Sequence, residues 1–247
     1  MAPFPWLLPV LSLVAFLYAS VGHAGASGYV AVFALAGLAP LEIRPLALVL
    51  NLVVAAQGCW QFQRAGHLPW PLFRPLVLAG LPAAFLGGWL ALPDPWFRRL
   101  LALVLIGSAG RLLQERRDPP LLRIPSRPQL LVSGLGLGLL AGLSGTGGGV
   151  FLTPLLLLAR WASSRQAAAV SSLFILGNSV CGLAGLVLAQ RRALPPFPPG
   201  LPWMVLTVLV AGFVGTRLGT HHLPVAWLRR LLALVVLLAA CKLLAPT

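Results

Sequence analysis

Ten apolar runs alternate with short polar or proline-rich connections along the chain. They cover residues 6–22, 28–39, 45–63, 72–92, 97–113, 129–144, 148–161, 166–189, 201–218 and 226–245. A helix needs around 20 apolar residues to cross a bilayer, and the second and seventh runs are too short to cross without help. The pattern predicts an all-α polytopic membrane protein with eight to ten transmembrane segments.

The composition agrees with a membrane protein. Hydrophobic residues make up 59% of the chain and charged residues only 9%, whereas soluble domains carry about 25% charged residues. The net charge of +14 comes from arginines between the apolar runs, where cytoplasmic loops carry them, and nucleic-acid folds need a more polar body. We therefore expect a lipid bilayer and no nucleic acid as partner. The three cysteines lack metal-ligand spacing, so no metal or cofactor is expected.

The two halves of the chain resemble each other. A shift of 121 residues lays "HAGASGYVAVFALAG" (23–37) on "SGTGGGVFLTPLLLL" (144–158) without a gap. It also pairs a glycine, an arginine and polar side chains: Gly28 with Gly149, Arg44 with Arg165, Asn51 with Ser172, and Gln57 with Asn178. The match predicts a duplication.

The most polar connection, "RLLQERRDPPLLRIPSRPQ" (111–129), divides the chain nearly in half. It predicts a first membrane repeat at 1–115, a cytoplasmic basic linker at 116–128 and a second membrane repeat at 129–247. Ten crossings with inverted repeats place more Lys and Arg in the cytoplasm than eight crossings would. We therefore expect inverted repeats with both termini in the periplasm; eight crossings, with each short run continuing the preceding helix, is the alternative.

Two glycine-rich stretches, Gly22–Gly28 and Gly142–Gly149, each precede a short apolar run. A helix that begins after such a break points its amide groups and positive dipole end at the break, which suits an anion. The anion seat is predicted at Gly28, Gly145, Gly147, Gly148 and Gly149, with hydroxyl donors from Ser27 and Thr146. The alternative is that the glycines allow close helix packing.

Polar side chains on otherwise apolar runs form a second group of candidates. The third run carries Asn51 and Gln57, and the eighth carries Ser171, Ser172 and Asn178. We assign them to substrate binding as uncharged donors, although such residues also hydrogen-bond neighbouring helices for about 0.6 kcal/mol. For gating or charge attraction the candidates are Arg44, Arg165 and His23, although arginines at helix ends usually reach the lipid headgroups.

These features together resemble one transporter family. "GLLAGLSGTGGGVFLTPLLLL" (138–158) followed by "AAAVSSLFILGNSVCG" (167–182) is similar to the glycine-rich segment and the following helix of the TauE/SafE sulfite exporter family, also called the toluene-sulfonate uptake permease family. In the first half, "GHAGASGYV" keeps three glycines, and Asn51 stands where the second half has Ser172. The resemblance implies a bacterial inner-membrane carrier for sulfite, sulfonates or related organosulfur anions.

The expected function is therefore a secondary transporter, with export as the expected direction, of a small sulfur-containing anion. The anion is held at the glycine-rich breaks near the membrane midplane. One alternative is an intramembrane enzyme, which would need a Ser/His or paired-Asp arrangement; another is a non-transporting assembly subunit. A homo-oligomer is compatible with the sequence.

Overall fold

The computed structural model describes residues 6–20, 25–64, 66–90, 92–113, 121–189, 197–219 and 225–244. Within these ranges the chain folds into ten α-helices: α1 (Leu7–Ser20), α2 (Ala26–Leu35), α3 (Pro40–Arg64), α4 (Trp70–Trp89), α5 (Asp94–Leu113), α6 (Arg127–Ser144), α7 (Gly149–Leu158), α8 (Ser164–Ala189), α9 (Leu201–Gly219) and α10 (Val225–Leu244). Each helix coincides with one predicted apolar run.

The all-helical membrane fold predicted from the sequence is confirmed over the described residues. A membrane span must satisfy its own backbone hydrogen bonds, which a helix does within one segment. Among the described helices, α3, α4 and α8 are long and apolar enough to cross a bilayer by length and composition. By contrast, α2 and α7 have 10 residues each, and at 1.5 Å per residue each spans about half of the hydrocarbon core.

The main helix contacts have counterparts when each of α1–α5 is replaced by its equivalent in α6–α10 and the reverse. The contact of α4 with α6 corresponds to that of α9 with α1, and α4 on α8 corresponds to α9 on α3. Likewise, α10 on α2 corresponds to α5 on α7, while the pairs α5–α10 and α3–α8 map onto themselves. A duplicated chain would pack in this way. The repeat itself stays a prediction.

The short helix α7 runs back toward the membrane face from which α6 starts. The backbone N–H of Arg123, just before α6, donates to the carbonyl of Arg160, just after α7, over 2.7 Å. In the other half, Lys242 Nζ near the end of α10 donates to the carbonyl of Leu35 at the end of α2, over 2.7 Å. Because α7 reverses direction, the packing favours the ten-segment arrangement over the one in which each short run continues the preceding helix.

The interface between α4 and α6 is packed through glycines. A Cβ built on Gly134, Gly138 or Gly142 of α6 would collide with the α4 backbone, at the carbonyls of Leu76, Gly80 and Ala84 respectively. These positions recur every four residues, the spacing at which small residues let membrane helices approach closely. Gly142 therefore lies inside α6 and serves helix packing. The connection to α7 begins only at Gly145.

We expect Gly138→Ala to lower the free energy of unfolding by about 1–3 kcal/mol, since overpacking a close contact costs about this much. Gly136→Ala is the matched control on the same helix, because nothing lies within 4 Å of its Cβ position. Thermal melting of the purified variants in detergent measures the difference. Equal melting temperatures would contradict the packing role.

Cysteine labelling tests the direction of α7. On a background without Cys59, Cys181 and Cys241, a cysteine at Ile124 and one at Arg160 are expected to label from the same side of the membrane, the cytoplasm. Ile124 is 99% exposed and Arg160 is exposed, so both positions are reachable. A cysteine at exposed Gly37, just after α2, is expected to label from the opposite side. Labelling of positions 124 and 160 from opposite faces would contradict the reversal.

Candidate functional site

A small cavity lies between the N-terminal ends of α2 and α7. It has space for about one water molecule. Its walls come from four helices and the residue before α2: Tyr18, Gly25, Ala26, Gly149, Val150, Thr153, Ala168, Ser171, Ser172 and Ile175. The two short helices therefore point their first turns into one space.

Glycine starts both short helices. Gly25 and Gly148 are the N-cap residues of α2 and α7, with φ of 71° and 82°, a left-handed conformation that glycine adopts without steric cost. As glycines, neither N-cap residue has a side chain that could accept a hydrogen bond from the first-turn amides. The first-turn amides of a helix have no partner within the helix, and the dipole places partial positive charge there. The geometry puts two positive helix ends at one cavity.

Hydroxyl groups line the side of the cavity formed by α7 and α8. Thr153 Oγ1 lies 2.7 Å from Ser171 Oγ and also donates to the carbonyl of Gly149 over 3.2 Å. Ser172 Oγ donates to the carbonyl of Ala168 over 2.9 Å. The remaining described walls are largely apolar, and none of the lining residues that the structure describes is acidic. The hydrogens of these three hydroxyls bond within the protein in this structure, and they become donors to an anion when the hydroxyls rotate toward it.

Three of the predicted binding residues line this cavity, namely Gly149, Ser171 and Ser172. The other residues of the α6–α7 connection pack beside it. A Cβ on Gly147 would lie 2.7 Å from Ile175, and one on Gly148 would lie 3.1 Å from both Ala141 and Phe174. Gly145 and Thr146 are buried in the same connection, where Thr146 Oγ1 lies 2.8 Å from Ser144 Oγ.

Two predicted asparagines lie beyond the cavity, farther along the α6–α7 connection. Asn51 Nδ2 donates to the carbonyl of Gly145 over 3.1 Å, which places α3 against this connection. Asn178 is fully buried on α8, beside Ser179. Ser179 is not among the residues predicted from the sequence, although it directly follows Asn178, which is.

The remaining predicted residues of the first half do not line the cavity. Ser27 Oγ lies 2.9 Å from the hydroxyl of Tyr18, which does line it, and 2.6 Å from Ser108 Oγ. Gly28 packs against α1, where an added Cβ would meet Tyr18 at 2.7 Å. Gln57 faces α9, since its Oε1 would lie 3.3 Å from a Cβ on Gly212. His23 lies outside the described residues.

The two arginines paired by the sequence occupy different environments. Arg165 is exposed near the start of α8, whereas Arg44 is only 4% exposed. The Arg44 guanidinium lies 5.6 Å from the Phe97 ring centroid. It also donates over 2.9–3.3 Å to four carbonyls near the C-terminal ends of α4 and α6, those of Gly87, Gly88, Leu90 and Gly142.

The capping contacts at the starts of α3 and α8 explain why Arg44 and Arg165 do not occupy equivalent positions in the structure. The N–H of Ala39 donates to Glu42 Oε2 over 2.9 Å, and the N–H of Ser163 donates to Gln166 Oε1 over 3.1 Å. The same contact therefore starts α3 and α8, at positions 124 residues apart (39 and 163) rather than 121. A difference of three residues displaces a side chain by about 4.5 Å along a helix and by only about 60° around it. Residues matched at 121 therefore lie at different depths along their helices and have different neighbours.

Thr153 and Tyr18 are the polar cavity residues that the sequence reading missed. Thr153 follows Gly149 by four residues and so lies on the same face of α7. It is also the only hydroxyl-bearing residue in "GVFLTPLLLL", a signal that could have identified it. Tyr18 precedes the first glycine-rich stretch, and nothing in its spacing distinguishes it from an interfacial aromatic residue.

Comparison with known proteins agrees with this architecture. The family model described as sulfite exporter TauE/SafE matches residues 7–243. The chain is also 39% identical over 237 residues to a protein of Sinorhizobium fredii (strain NBRC 101917 / NGR234) named probable membrane transporter protein y4hK, covering 94% of each chain. No solved structure matches the chain.

Proposed function

Since the chain belongs to the sulfite exporter TauE/SafE family, and is therefore a membrane transporter rather than an enzyme, we propose that its substrate is a small sulfur-containing anion such as sulfite or an organosulfonate. The substrate binds between the first turns of α2 and α7. It leaves the cell across the bacterial inner membrane.

The observation that carries this proposal is the meeting of two helix N-termini at one cavity. Each N-terminus carries about half a positive charge, and Gly25 and Gly149 leave the approach to the backbone free of large side chains. Discontinuous helices in other transporters also direct N-termini toward anionic substrate groups near the bilayer midplane.

The chemistry of the walls favours an oxyanion. Thr153, Ser171 and Ser172 bear hydroxyls that can turn toward oxygen acceptors, while Val150 and Ile175 supply apolar contact for a carbon substituent. The cavity holds only about one water molecule, so it must widen to admit an anion. An anion enters when the end of the Ile175 side chain and the first turns of the short helices move apart.

Export is consistent with the membrane potential. A membrane potential that is negative inside favours the exit of an anion by about 2.3 kcal/mol for each negative charge and each 100 mV. None of the described residues that line the cavity is acidic or a histidine. The proposed efflux is driven by the membrane potential.

Flux through proteoliposomes tests the proposal. Vesicles loaded with radiolabelled sulfite or ethanesulfonate are expected to release the label faster than protein-free vesicles, and faster still when a potassium gradient with valinomycin makes the interior negative. Thr153→Val combined with Ser171→Ala is expected to slow release about tenfold, since a lost hydrogen bond to a charged group costs about 1.5–3 kcal/mol. Release equal to that of empty vesicles for every anion tested would refute the proposed substrate class.

A further inference from the structure

A second group of buried polar side chains lies one to two turns along α8 from the cavity. Asn51, Asn178 and Ser179 are each fully buried. Four of their polar atoms have no hydrogen-bond partner: Asn51 Oδ1, Asn178 Oδ1, Asn178 Nδ2 and Ser179 Oγ. Leaving a buried polar atom unpaired costs about 1–3 kcal/mol, so a cluster of four calls for a bound group.

The contacts between α3 and α8 bring these residues together. A Cβ on Gly58 would lie 3.0 Å from Ser172 Oγ, and one on Gly182 would lie 3.8 Å from Leu48. The residue numbers of these contacts rise along α3 as they fall along α8, so the two helices are antiparallel. The same spacing places Asn51 opposite Ser179.

Both of these side chains also face the α6–α7 connection. Asn51 bonds the carbonyl of Gly145, and Ser179 Oγ lies 3.2 Å from the Cβ position of Gly147. Ser179 differs from the other buried hydroxyls near this connection. Ser144, Thr153 and Ser172 each donate to the carbonyl four residues earlier in their helices.

The hydrogen bond from Asn51 decides which of its atoms is available. Only the NH₂ group of an asparagine can donate to a carbonyl, so the bond to Gly145 directs Nδ2 there and leaves Oδ1 as a free acceptor. Asn178 adds an unpaired amide oxygen one residue before Ser179 on α8, and Ser179 adds a hydroxyl oxygen. Three neutral oxygens are thereby available beside a broken helix.

The location favours a cation over an anion. Gly145 is the C-cap of α6, and a helix C-terminus carries partial negative charge. This end of α6 already accepts one cationic group, because the guanidinium of Arg44 bonds the carbonyl of Gly142. Unwound carbonyls and half-helix C-terminal ends coordinate Na⁺ in other transporters, whereas N-termini face the anion.

The same surroundings favour a single charge. The described residues contain no group of three or more His, Cys, Asp or Glu side chains, whereas protein sites for Ca²⁺ and Mg²⁺ use carboxylates. We propose that Asn51, Asn178 and Ser179, together with carbonyls at the C-terminal end of α6, bind a monovalent cation of sodium size.

Thermal melting of the purified full-length protein tests this site in the absence of sulfite and sulfonates. The melting temperature is expected to rise saturably with NaCl and not with choline chloride at equal ionic strength, with KCl as a size comparison. Asn178→Leu is expected to raise the half-saturating Na⁺ concentration at least about tenfold. Asn178→Asp, measured at pH 8, is expected to lower it about tenfold by adding a negative charge. Thr207→Val, a half-buried change on α9, is the control and is expected to match wild type.

Absence of Na⁺-specific stabilisation in the wild type would overturn the site. So would weaker Na⁺ binding by Asn178→Asp, or stabilisation that follows the identity of the anion instead. If Asn178→Leu fails to fold, Ser179→Ala takes its place with the same expected direction. Because the melting experiment contains no substrate anion, its failure leaves the flux result intact, and absence of anion flux leaves a positive Na⁺ titration intact.

Discussion

Replacing Arg44 by alanine is expected to lower the free energy of unfolding by about 3–5 kcal/mol. The guanidinium joins α3 to α4 and α6 through four carbonyl groups. Hydrogen bonds to charged groups contribute about 1.5–3 kcal/mol each, and three of the four bonds, those to Gly87, Gly88 and Gly142, are buried. Thermal melting in detergent, with flux measured at matched protein amounts, gives the size of the loss.

Two further variants separate geometry from charge. Arg44→Lys keeps the charge but lacks the planar fork that reaches several carbonyls at once, so about half of the loss is expected to remain. Arg165→Ala removes an exposed arginine and is expected to change the melting temperature little. If Arg44→Ala melts at the same temperature as Arg165→Ala, then the four carbonyl contacts contribute no stability.

The second large effect is expected from Gly149→Leu, which should reduce anion flux by about a hundredfold without preventing membrane insertion. Gly149 lines the cavity, and an added side chain would meet the flexible end of Ile175. A leucine there occupies the space of the anion and removes contact with the helix end, and a loss of about 2.7 kcal/mol corresponds to a hundredfold in affinity. Flux at matched membrane expression measures it.

Two other glycines serve as controls for this variant. Gly136→Leu adds the same side chain to α6 where nothing lies within 4 Å, and normal flux is expected. Gly148→Leu is expected to reduce folded protein, because Gly148 has a φ of 82° and its Cβ would press on Ala141 and Phe174. Normal transport by Gly149→Leu would show that the anion does not use this cavity.

The helices themselves could be predicted to within about five residues at each end. An apolar run in a membrane must form a helix to satisfy its backbone, so the run boundaries and the helix ends agree within a few residues. The roles of the glycines could not be separated in the same way. Gly138 and Gly148 lie ten residues apart and both need a missing side chain, one for contact with α4 and the other for its left-handed backbone.

The candidate site was predicted in part for a related reason. Ser172 and Gly149 were paired by the comparison of the two halves, and Ser171 was predicted as a polar residue on an apolar run. The comparison of the halves fixed its offset on glycines. The capping contacts at Ala39 and Ser163 set a different offset. Residue type alone does not distinguish a buried arginine from an exposed one. The hydrogen bonds of Arg44 could therefore be recognised only once the carbonyls at the ends of α4 and α6 had been located in the structure.

The central claim, that the cavity between α2 and α7 selects anions, is tested most directly by the charge preference of a cysteine placed within it. Ala168 lines the cavity and is half-buried, so Ala168→Cys on a cysteine-free background presents a thiol there. The test compares the rates at which two methanethiosulfonate reagents of similar size modify this thiol. One reagent ends in a sulfonate and the other in a trimethylammonium group. The account predicts that the sulfonate reagent reacts at least about tenfold faster, after correction for their rates with a free thiol, and that ethanesulfonate slows its reaction. Faster reaction with the trimethylammonium reagent, with no protection by ethanesulfonate, would contradict the account.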